Sequence, residues 1–272
     1  MKHPDYTEPG LNRETLLIQR RELLSSIKYA SLIQRAVLPD PEYMSRVLHD
    51  HFILYMPRDI VSGDFYYVTK KDNFIVVAAG DCTGHGVPGA LMSIMGISFL
   101  NEILSSRSFR KASGILNLLR ERVMGALHQT GRNEENKEAI DMALCIFDTR
   151  SNDLQYAGAN NSLYHIRKKV LTQIKADCMP VGVNAIEEES FRNHSLKLKK
   201  DDIVYIFSDG YADQFGGPEG KKFKYGPLKK LLIDISDKPM ATQKEILEMV
   251  IRDWKGSEKQ VDDILAFGIK FI

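Results

Sequence analysis

The sequence lacks the features that mark secreted, disulfide-bonded or nucleic-acid-binding proteins. Its 272 residues contain three cysteines, Cys82, Cys145 and Cys178, whose wide spacing fits neither a disulfide framework nor a CxxC metal site. The 37 basic residues nearly cancel the 36 acidic ones, and the formal net charge of +1 gives no general attraction to nucleic acid or to an anionic membrane. We therefore expect a cytoplasmic protein whose partner is small or local.

Long apolar runs are also scarce. We identify no run that approaches the roughly 20 residues of a membrane span, and residues 1–10 lack the apolar core of a signal peptide. The hydrophobic content of 43% is still sufficient for a sizeable core. The length favours one large domain, or one domain with a short appendage.

An amphipathic helix is predicted at residues 16–38, ahead of Pro39. Its apolar residues recur at helical spacings: Leu16, Leu23, Ile27, Ala30 and Val37. The stripe also contains Arg20 and Gln34, which makes it a poor zipper. Two interpretations stay open, a helix packed on its own domain and a dimer segment that carries signals from upstream. We assign residues 1–39 to this helix and linker, and residues 40–272 to the main domain.

The main domain alternates short strand patterns with pairs of helical patterns. Strands are predicted at 51–56, 63–69, 74–79, 142–148, 154–158, 162–167, 191–198, 202–207 and 264–271. Helices are predicted at 88–106, 111–129, 227–236 and 242–254. The strands follow one another like hairpins, which predicts an α+β fold: an antiparallel β-sandwich flanked by helix pairs.

The stretch GDCTGHGVPGALMS at residues 80–93 places Asp81 between the apolar run FIVVAA and a glycine-rich loop that leads into a helix. Such a loop is typical of a backbone cradle for phosphate, whereas a carboxylate at a strand end is typical of a metal site. Asp81 taken alone also fits an ordinary turn residue. Other segments of the sequence are needed to choose among a phosphate cradle, a metal site and an ordinary turn.

A neighbouring strand brings a second carboxylate towards Asp81. The strands at 63–69 and 74–79 are joined by the turn-prone KKDN, and a hairpin centred on this turn pairs Asp64 with Asp81. Directly opposed residues of such a pair lie about 5 Å apart. Because two bare carboxylates at that distance repel each other, we expect a positive group between them.

Two further carboxylate segments occur near strand ends. Asp209 follows the apolar run DIVYIF, and Asp262 and Asp263 precede the last strand. If these two strands are antiparallel neighbours, Asp209 comes near Asp262. Four carboxylates at strand ends form an oxygen-only site suited to Mg²⁺ or Mn²⁺, and the scattered histidines and cysteines offer no competing zinc site.

Six motifs in order give the chain a family resemblance: SGDFYY, GDCTGHGVPGALMS, LQYAGANNSLY, MPVGV, FSDGYAD and VDDILAFGI. Over about residues 40–272 the sequence resembles the SpoIIE-type branch of the metal-dependent (type 2C) protein serine/threonine phosphatases. The resemblance implies hydrolysis of phosphoserine or phosphothreonine on a regulatory protein, commonly a STAS-type anti-sigma-factor antagonist of a partner-switching pathway. It also implies an upstream sensor domain and pairing of the N-terminal helix in a homodimer.

The resemblance further implies a site with two divalent metal ions, Mn²⁺ or Mg²⁺. By position, Asp81 is similar to the ligand that bridges both metals, with Cys82 contributing its backbone carbonyl. Asp64 is similar to a ligand of the first metal, and Asp209 and Asp262 to those of the second, with Asp262 preferred to Asp263. The implied nucleophile is a hydroxide that bridges the two metals. No side chain acts as a further catalytic group, and the substrate-binding residues are not assigned.

Two other functions compete with this one. A phosphatase-like module without turnover would bind a regulatory protein, although the retained acidic residues argue against it. A nucleotide cradle would need GK[ST], which the segment GHGVPGA lacks.

Four weaker expectations concern the surroundings of these carboxylates. For His85 we favour a structural hydrogen bond in the glycine loop, and for Asn160 a role in a turn. Arg58 is either a phosphate-binding arginine or a solvated one. The lysine-rich segment 216–226 is either a flap that touches a partner or merely solvated.

Overall fold

The fold is built on two five-stranded antiparallel sheets. The structure is a computed structural model that describes residues 13–48, 50–105, 111–130, 136–184 and 190–271. The first sheet has the spatial order β1 (Asp50–Met56), β12 (Ile264–Lys270), β9 (Ile203–Phe207), β6 (Leu163–Arg167) and β7 (Val170–Ile174). The second has the order β2 (Phe65–Lys71), β3 (Phe74–Cys82), β4 (Ile140–Asp148), β5 (Asp153–Ala159) and β8 (His194–Lys197). Apolar side chains from both sheets form one buried cluster between them, as expected for a sandwich.

Helices cover the outer face of each sheet. The helices are α1 (Arg13–Val37), α2 (Pro41–Val47), α3 (Gly86–Ser105), α4 (Ala112–Ala126), α5 (Gly210–Asp213), α6 (Tyr225–Ile235) and α7 (Met240–Lys255). The pair α3 and α4 packs on the second sheet, and the pair α6 and α7 packs on the first. A small hairpin, β10 (Phe215–Gly216) with β11 (Lys221–Lys222), lies outside both sheets. The predicted α+β sandwich flanked by helix pairs is therefore confirmed.

The sequence analysis missed several short elements, among them β7 and α2. Strand β7 follows a turn in which Lys168 and Lys169 both have positive φ, 49° and 64°, and lysines are not the residues that signal such a turn. Helix α2 has seven residues and is N-capped by Asp40, whose side chain accepts hydrogen bonds from the backbone N–H of Glu42 and Tyr43. It is too short to show an apolar period.

Helix α1 is present as predicted, and the exposure of its apolar stripe bears on the two interpretations left open. Leu16, Leu23 and Val37 are 51%, 62% and 39% exposed, so they do not pack on the domain. The buried residues of this helix are the polar Ser31 and Gln34. Residues 1–12, which include the segment assessed for a signal peptide, lie outside the described residues.

Helix α3 corrects the expectation that no segment is long enough to cross a membrane. Within the part of the chain that the structure describes, Gly86–Ser105 meets that criterion by length and composition. Half of it is buried inside the fold, where Ile97 and Leu100 contact the core that α3 shares with α4 and the second sheet. A core helix satisfies the same criterion, and α3 has such a place here.

Candidate metal centre

Asp64 lies immediately before β2 and is 1% exposed. Its Oδ2 accepts a hydrogen bond of 2.6 Å from the hydroxyl of Ser208, which follows β9 in the other sheet. The same hydroxyl oxygen accepts a hydrogen bond of 3.0 Å from the backbone N–H of Leu265. Ser208 therefore fixes the Asp64 carboxylate relative to both central strands of the first sheet.

Asp81 lies near the end of β3, beside the position of Asp64. The β2–β3 register pairs Phe65 with Gly80, which places Asp64 and Asp81 at the same end of the hairpin, as predicted. The loop after Asp81 turns sharply because Gly84 has a φ of 81°, a conformation that glycine adopts without strain. The chain then enters α3 at Gly86.

Asp141 is a site residue that the sequence analysis missed. It is directly opposite Asp81 in the β3–β4 pair, and its Oδ1 accepts a hydrogen bond of 2.7 Å from the side-chain amide of Asn160. Asn160 has a positive φ of 58°, so it forms a turn as expected and also contacts the carboxylate cluster. One sequence signal was available: Asp141 directly precedes the apolar run MALCIF, just as Asp64 directly precedes FYYV.

Asp209 and Asp262 come from neighbouring strands of the first sheet. Strands β9 and β12 are antiparallel, with Phe207 opposite Ala266, and the backbone N–H of Ser208 donates to the carbonyl of Leu265 over 3.0 Å. The exit of β9 therefore meets the entrance of β12. Both carboxylates line the same cavity as Asp81 and Asp141, whose volume is about 370 Å³.

Asp262 and Asp263 are adjacent in sequence but differ in their surroundings. The Asp263 carboxylate is 2% exposed and accepts two hydrogen bonds of 2.7 Å, from the backbone N–H of Arg58 and of Gly63. Its oxygens thus hold the loop before Asp64. Asp262 lines the cavity instead, which favours Asp262 over Asp263 as a cation ligand.

Cys82 lines the cavity next to Asp81, but its side chain is 4% exposed and packs in the core under α3. Burial raises the pKa of the thiol well above its ordinary value, and the nearby carboxylates raise it further. The sulfur is therefore protonated at neutral pH. A contribution from this residue would have to come from its backbone carbonyl.

The cluster concentrates negative charge in a poorly solvated place. Burial raises the pKa of Asp64 well above its usual value, with the charge of Asp81 as the next cause. Burial likewise raises the pKa of Asp81, and the charges of Asp209 and Asp141 add to it. Each of these carboxylates is more easily protonated than in water, because it is buried and because other carboxylates lie nearby.

Two outer members of the cluster show the same direction. Burial raises the pKa of Asp141, although the hydrogen bond from Asn160 opposes the rise. Burial and the charge of Asp262 raise the pKa of Asp209 to about 6. A bound cation would relieve this shared repulsion.

The donor set fits a hard divalent cation. Asp64, Asp81, Asp141, Asp209 and Asp262 supply only oxygen ligands, and none of them forms an ion pair with a described residue. As the side chains stand, no three metal-binding side chains among the described residues meet closely enough to enclose an ion. The fit therefore rests on donor chemistry and charge.

Contacts of the surrounding residues bear on three of the weaker expectations. His85 forms a side-chain contact of 2.9 Å between its Nδ1 and Oδ2 of Asp59, which agrees with a structural role in the loop. The Arg58 guanidinium donates to the carbonyl of Val261 over 3.0 Å. In the segment 216–226, Lys222 donates to Asp213 over 2.6 Å, so this lysine is engaged within the chain.

Comparisons with known proteins agree with this fold. The family model described as Stage II sporulation protein E (SpoIIE) matches residues 71–272. The SiaA-PP2C domain of Pseudomonas aeruginosa has a similar structure, with a TM-score of 0.84 and 30% identity over 93% of this chain and 99% of that domain. The phosphatase domain and regulatory fragment of SpoIIE from Bacillus subtilis share the fold, with a TM-score of 0.66 and 18% identity over 82% of this chain and 63% of that one.

A curated relative is the phosphoserine phosphatase RsbU of Bacillus subtilis (strain 168). The two sequences are 24% identical over 206 residues, which make up 74% of this chain. This chain spans 57% of the length of RsbU.

Proposed function

The chain belongs to the SpoIIE family, a branch of the type 2C protein phosphatases, and we propose that it hydrolyses phosphoserine or phosphothreonine on a regulatory protein. The observation that carries this proposal is the convergence of four carboxylates from both sheets, Asp81, Asp141, Asp209 and Asp262, on one cavity of about 370 Å³, with the buried carboxyl of Asp64 near Asp81. Burial raises the pKa values of Asp64, Asp81, Asp141 and Asp209, and neighbouring carboxylates raise those of Asp64, Asp81 and Asp209 further. Such an arrangement stabilises cations rather than a folded core.

The proposed cofactors are two divalent ions, Mn²⁺ or Mg²⁺, the kind of ion that type 2C phosphatases generally use. We infer that Asp81 with the Cys82 carbonyl, Asp64, Asp209 and Asp262 would hold them. Asp141 adds a carboxylate directly opposite Asp81, in the same cavity. When bound, such ions lower the pKa of a water molecule and neutralise the charge of the phosphoryl oxygens.

The residues around the cluster orient it for this task. Ser208 fixes Asp64, and Asn160 orients Asp141. Asp263 holds the backbone at Arg58 and Gly63, next to Asp64. The cavity is open to solvent on the side of Lys137, which is exposed. A phosphorylated side chain of a partner protein would enter there, and an exposed lysine favours an anionic group.

The partner is proposed by class. RsbU is named a phosphoserine phosphatase, and the resemblance favours a phosphorylated STAS-type anti-sigma-factor antagonist as the substrate here. An upstream sensor domain, a homodimer through α1 and a cytoplasmic location are further proposals. The exposed apolar residues of α1 support the dimer.

The test is release of phosphate from phosphorylated STAS-domain proteins, offered one at a time with Mn²⁺. We expect rapid hydrolysis of at least one phosphoserine or phosphothreonine and none of phosphotyrosine peptides. Stable binding of such a protein without release of phosphate, by a chain with all five carboxylates, would identify a binding module instead. Preferential hydrolysis of small metabolite phosphates would place the substrate in another class.

A further inference from the structure

Gln34 makes the most buried polar contact of helix α1. Its side chain is 4% exposed, whereas the apolar residues nearer the start of the helix face solvent. Its Nε2 donates to the carbonyl of Ser62 over 2.6 Å and to the hydroxyl of Ser93 over 2.9 Å. Its Oε1 accepts a hydrogen bond of 3.1 Å from the backbone N–H of Ser62. The amide thus pairs with both backbone polar groups of Ser62, much as a neighbouring strand would.

The segment held by Gln34 leads directly to a candidate metal ligand. Ser62 lies two residues before Asp64, and its hydroxyl accepts a hydrogen bond of 3.1 Å from the Asp64 backbone N–H. Between them, Gly63 passes so close to the glycine loop that an added Cβ would lie 2.7 Å from the carbonyl oxygen of Gly84. The three residues precede β2 and have no strand partner of their own. Contacts from distant side chains therefore set their path.

The Gln34 amide makes more hydrogen bonds than are needed merely to hold a helix against the domain. A buried amide is costly unless its donors and acceptor are satisfied, and here both Nε2 and Oε1 have partners inside the domain. Ser31, one turn earlier on the same buried face, uses its hydroxyl only for the carbonyl of Lys28 in its own helix. Gln34, and not Ser31, joins α1 to the backbone next to Asp64.

We propose that Gln34 is a positioning residue that couples the docking of α1 to the placement of the metal ligand Asp64. The inference rests on the proposed function, since it requires that Asp64 bind a metal. Docked α1 holds the backbone of Ser62 and raises metal affinity. By thermodynamic reciprocity, bound metal strengthens the docking of α1.

The test compares Gln34→Met with Ser31→Ala, a matched change on the same face of the same helix. Methionine preserves the length and volume of the side chain but makes none of the three hydrogen bonds. Removing a residue that orients a metal ligand typically lowers metal affinity by about 10–100-fold. Titration calorimetry with Mn²⁺ should therefore show a dissociation constant raised about 10-fold or more in Gln34→Met, and changed less than about twofold in Ser31→Ala. Turnover of p-nitrophenyl phosphate in Gln34→Met should need correspondingly more Mn²⁺ to reach its plateau.

A second variant guards against loss of folding. Gln34→Asn keeps an amide but shortens its reach by one methylene, and the same rise in the dissociation constant is expected. Unchanged Mn²⁺ affinity in folded Gln34→Met or Gln34→Asn overturns the inference, as does an equal change in Ser31→Ala. If neither Gln34 variant folds, amide hydrogen exchange of the wild-type protein decides. Mn²⁺ should slow exchange at 62–65 and in α1 around Gln34, and slowing at 62–65 alone contradicts the coupling.

These outcomes separate the inference from the proposed function. A wild-type protein that binds no Mn²⁺ by calorimetry refutes the metal centre and the inference together. A wild-type protein that binds Mn²⁺, with Gln34 variants that bind it equally well, refutes the inference alone.

Discussion

One aspartate lies just beyond each end of strand β9, and the surroundings shift the pKa values of these two carboxyl groups in opposite directions. Before the strand, Asp202 is 1% exposed and accepts hydrogen bonds of 2.8 and 2.5 Å from Nε and Nη2 of Arg167. Burial alone would raise its pKa, but these bonds and one from the Lys199 backbone outweigh burial and lower it. After the strand, Asp209 faces other carboxylates and its pKa rises to about 6.

The comparison distinguishes Asp202, whose charge stabilises the fold through an ion pair within the chain, from Asp209, whose charge would be neutralised by a bound ligand. At the Asp202 end the cation is part of the chain, so the folded protein is satisfied without any cofactor. At the Asp209 end the described residues supply no paired cation, and the repulsion persists until one binds. Substitutions at the two ends of β9 test whether the roles of these aspartates differ in this way.

The largest effect is expected at Asp81, which has carboxylates on both sides in the cluster. Asp81→Asn removes the carboxylate that we propose is shared by the metal pair, and we expect turnover of p-nitrophenyl phosphate with Mn²⁺ to fall by several orders of magnitude. The fold should persist, because the buried apolar cluster under α3 is untouched. Circular dichroism and thermal melting provide the control. A folded variant near the wild-type rate at saturating Mn²⁺ would refute the assignment of Asp81.

At the other end of β9, Asp202→Asn should lower stability and leave catalysis intact. Removing one partner of a buried ion pair typically costs 3–5 kcal/mol. Arg167 is 35% exposed, so water compensates in part and we expect about 2 kcal/mol. The cost should shrink as the pH falls, because a carboxylate with a lowered pKa contributes stability that is lost on protonation. The pKa of Asp202 lies below its ordinary value of 3.8, so this loss sets in below that pH. Urea unfolding at pH 7 and at about pH 3 measures both effects, and an unchanged free energy of unfolding at pH 7 would contradict the pairing.

The matched substitution Asp209→Asn should have the opposite sign in protein stripped of metal. A carboxyl whose folded pKa is raised from 3.8 to about 6 destabilises the fold progressively as the pH rises between these values. Because Asp209 is partly exposed, we expect removal of the charge to add about 1–2 kcal/mol at pH 8 and less at pH 4.5. Urea unfolding in chelator tests this, with Asp202→Asn as the control of opposite sign. A loss of stability at pH 8 would show that Asp209 is not under repulsion.

The smallest effect is expected from substitutions in α1, which should change only self-association. This helix buries polar residues and exposes apolar ones. Leu23 is 62% exposed and Leu16 51%, so pairing of two copies would bury surface that a single chain leaves in water. We expect weak, concentration-dependent dimers, and Leu16→Glu with Leu23→Glu should weaken their association about 10-fold or more. Analytical ultracentrifugation measures this. A strict monomer at high concentration in the wild type would leave the exposed face without a homodimeric partner.

The parts of the site that could be predicted from sequence are those fixed by short-range geometry. The KKDN turn links adjacent strands, so the position of this turn alone predicted the hairpin that aligns Asp64 with Asp81. The hairpin has the predicted register. The closeness of Asp209 and Asp262 followed from one assumption about neighbouring strands, which is correct.

Other parts depend on contacts between distant segments. Asp141 meets Asp81 through a pairing of strands sixty residues apart, and no turn specifies that register. The buried role of Asp263 depends on backbone N–H groups of Arg58 and Gly63, about two hundred residues earlier. Gln34 looked like a flaw in an apolar stripe, because its partner Ser62 is visible only in three dimensions.

The central claim is that the carboxylate cluster works by binding divalent cations, and removal of metal tests it most directly. Turnover of p-nitrophenyl phosphate should be followed in one preparation before chelation, after chelation and after Mn²⁺ is restored, with Asp81→Asn measured in parallel. We predict that wild-type activity disappears with the chelator and returns with Mn²⁺, and that Asp81→Asn stays inactive throughout. Activity of the wild-type protein that persists in chelator, with no metal left in the sample, would contradict the account.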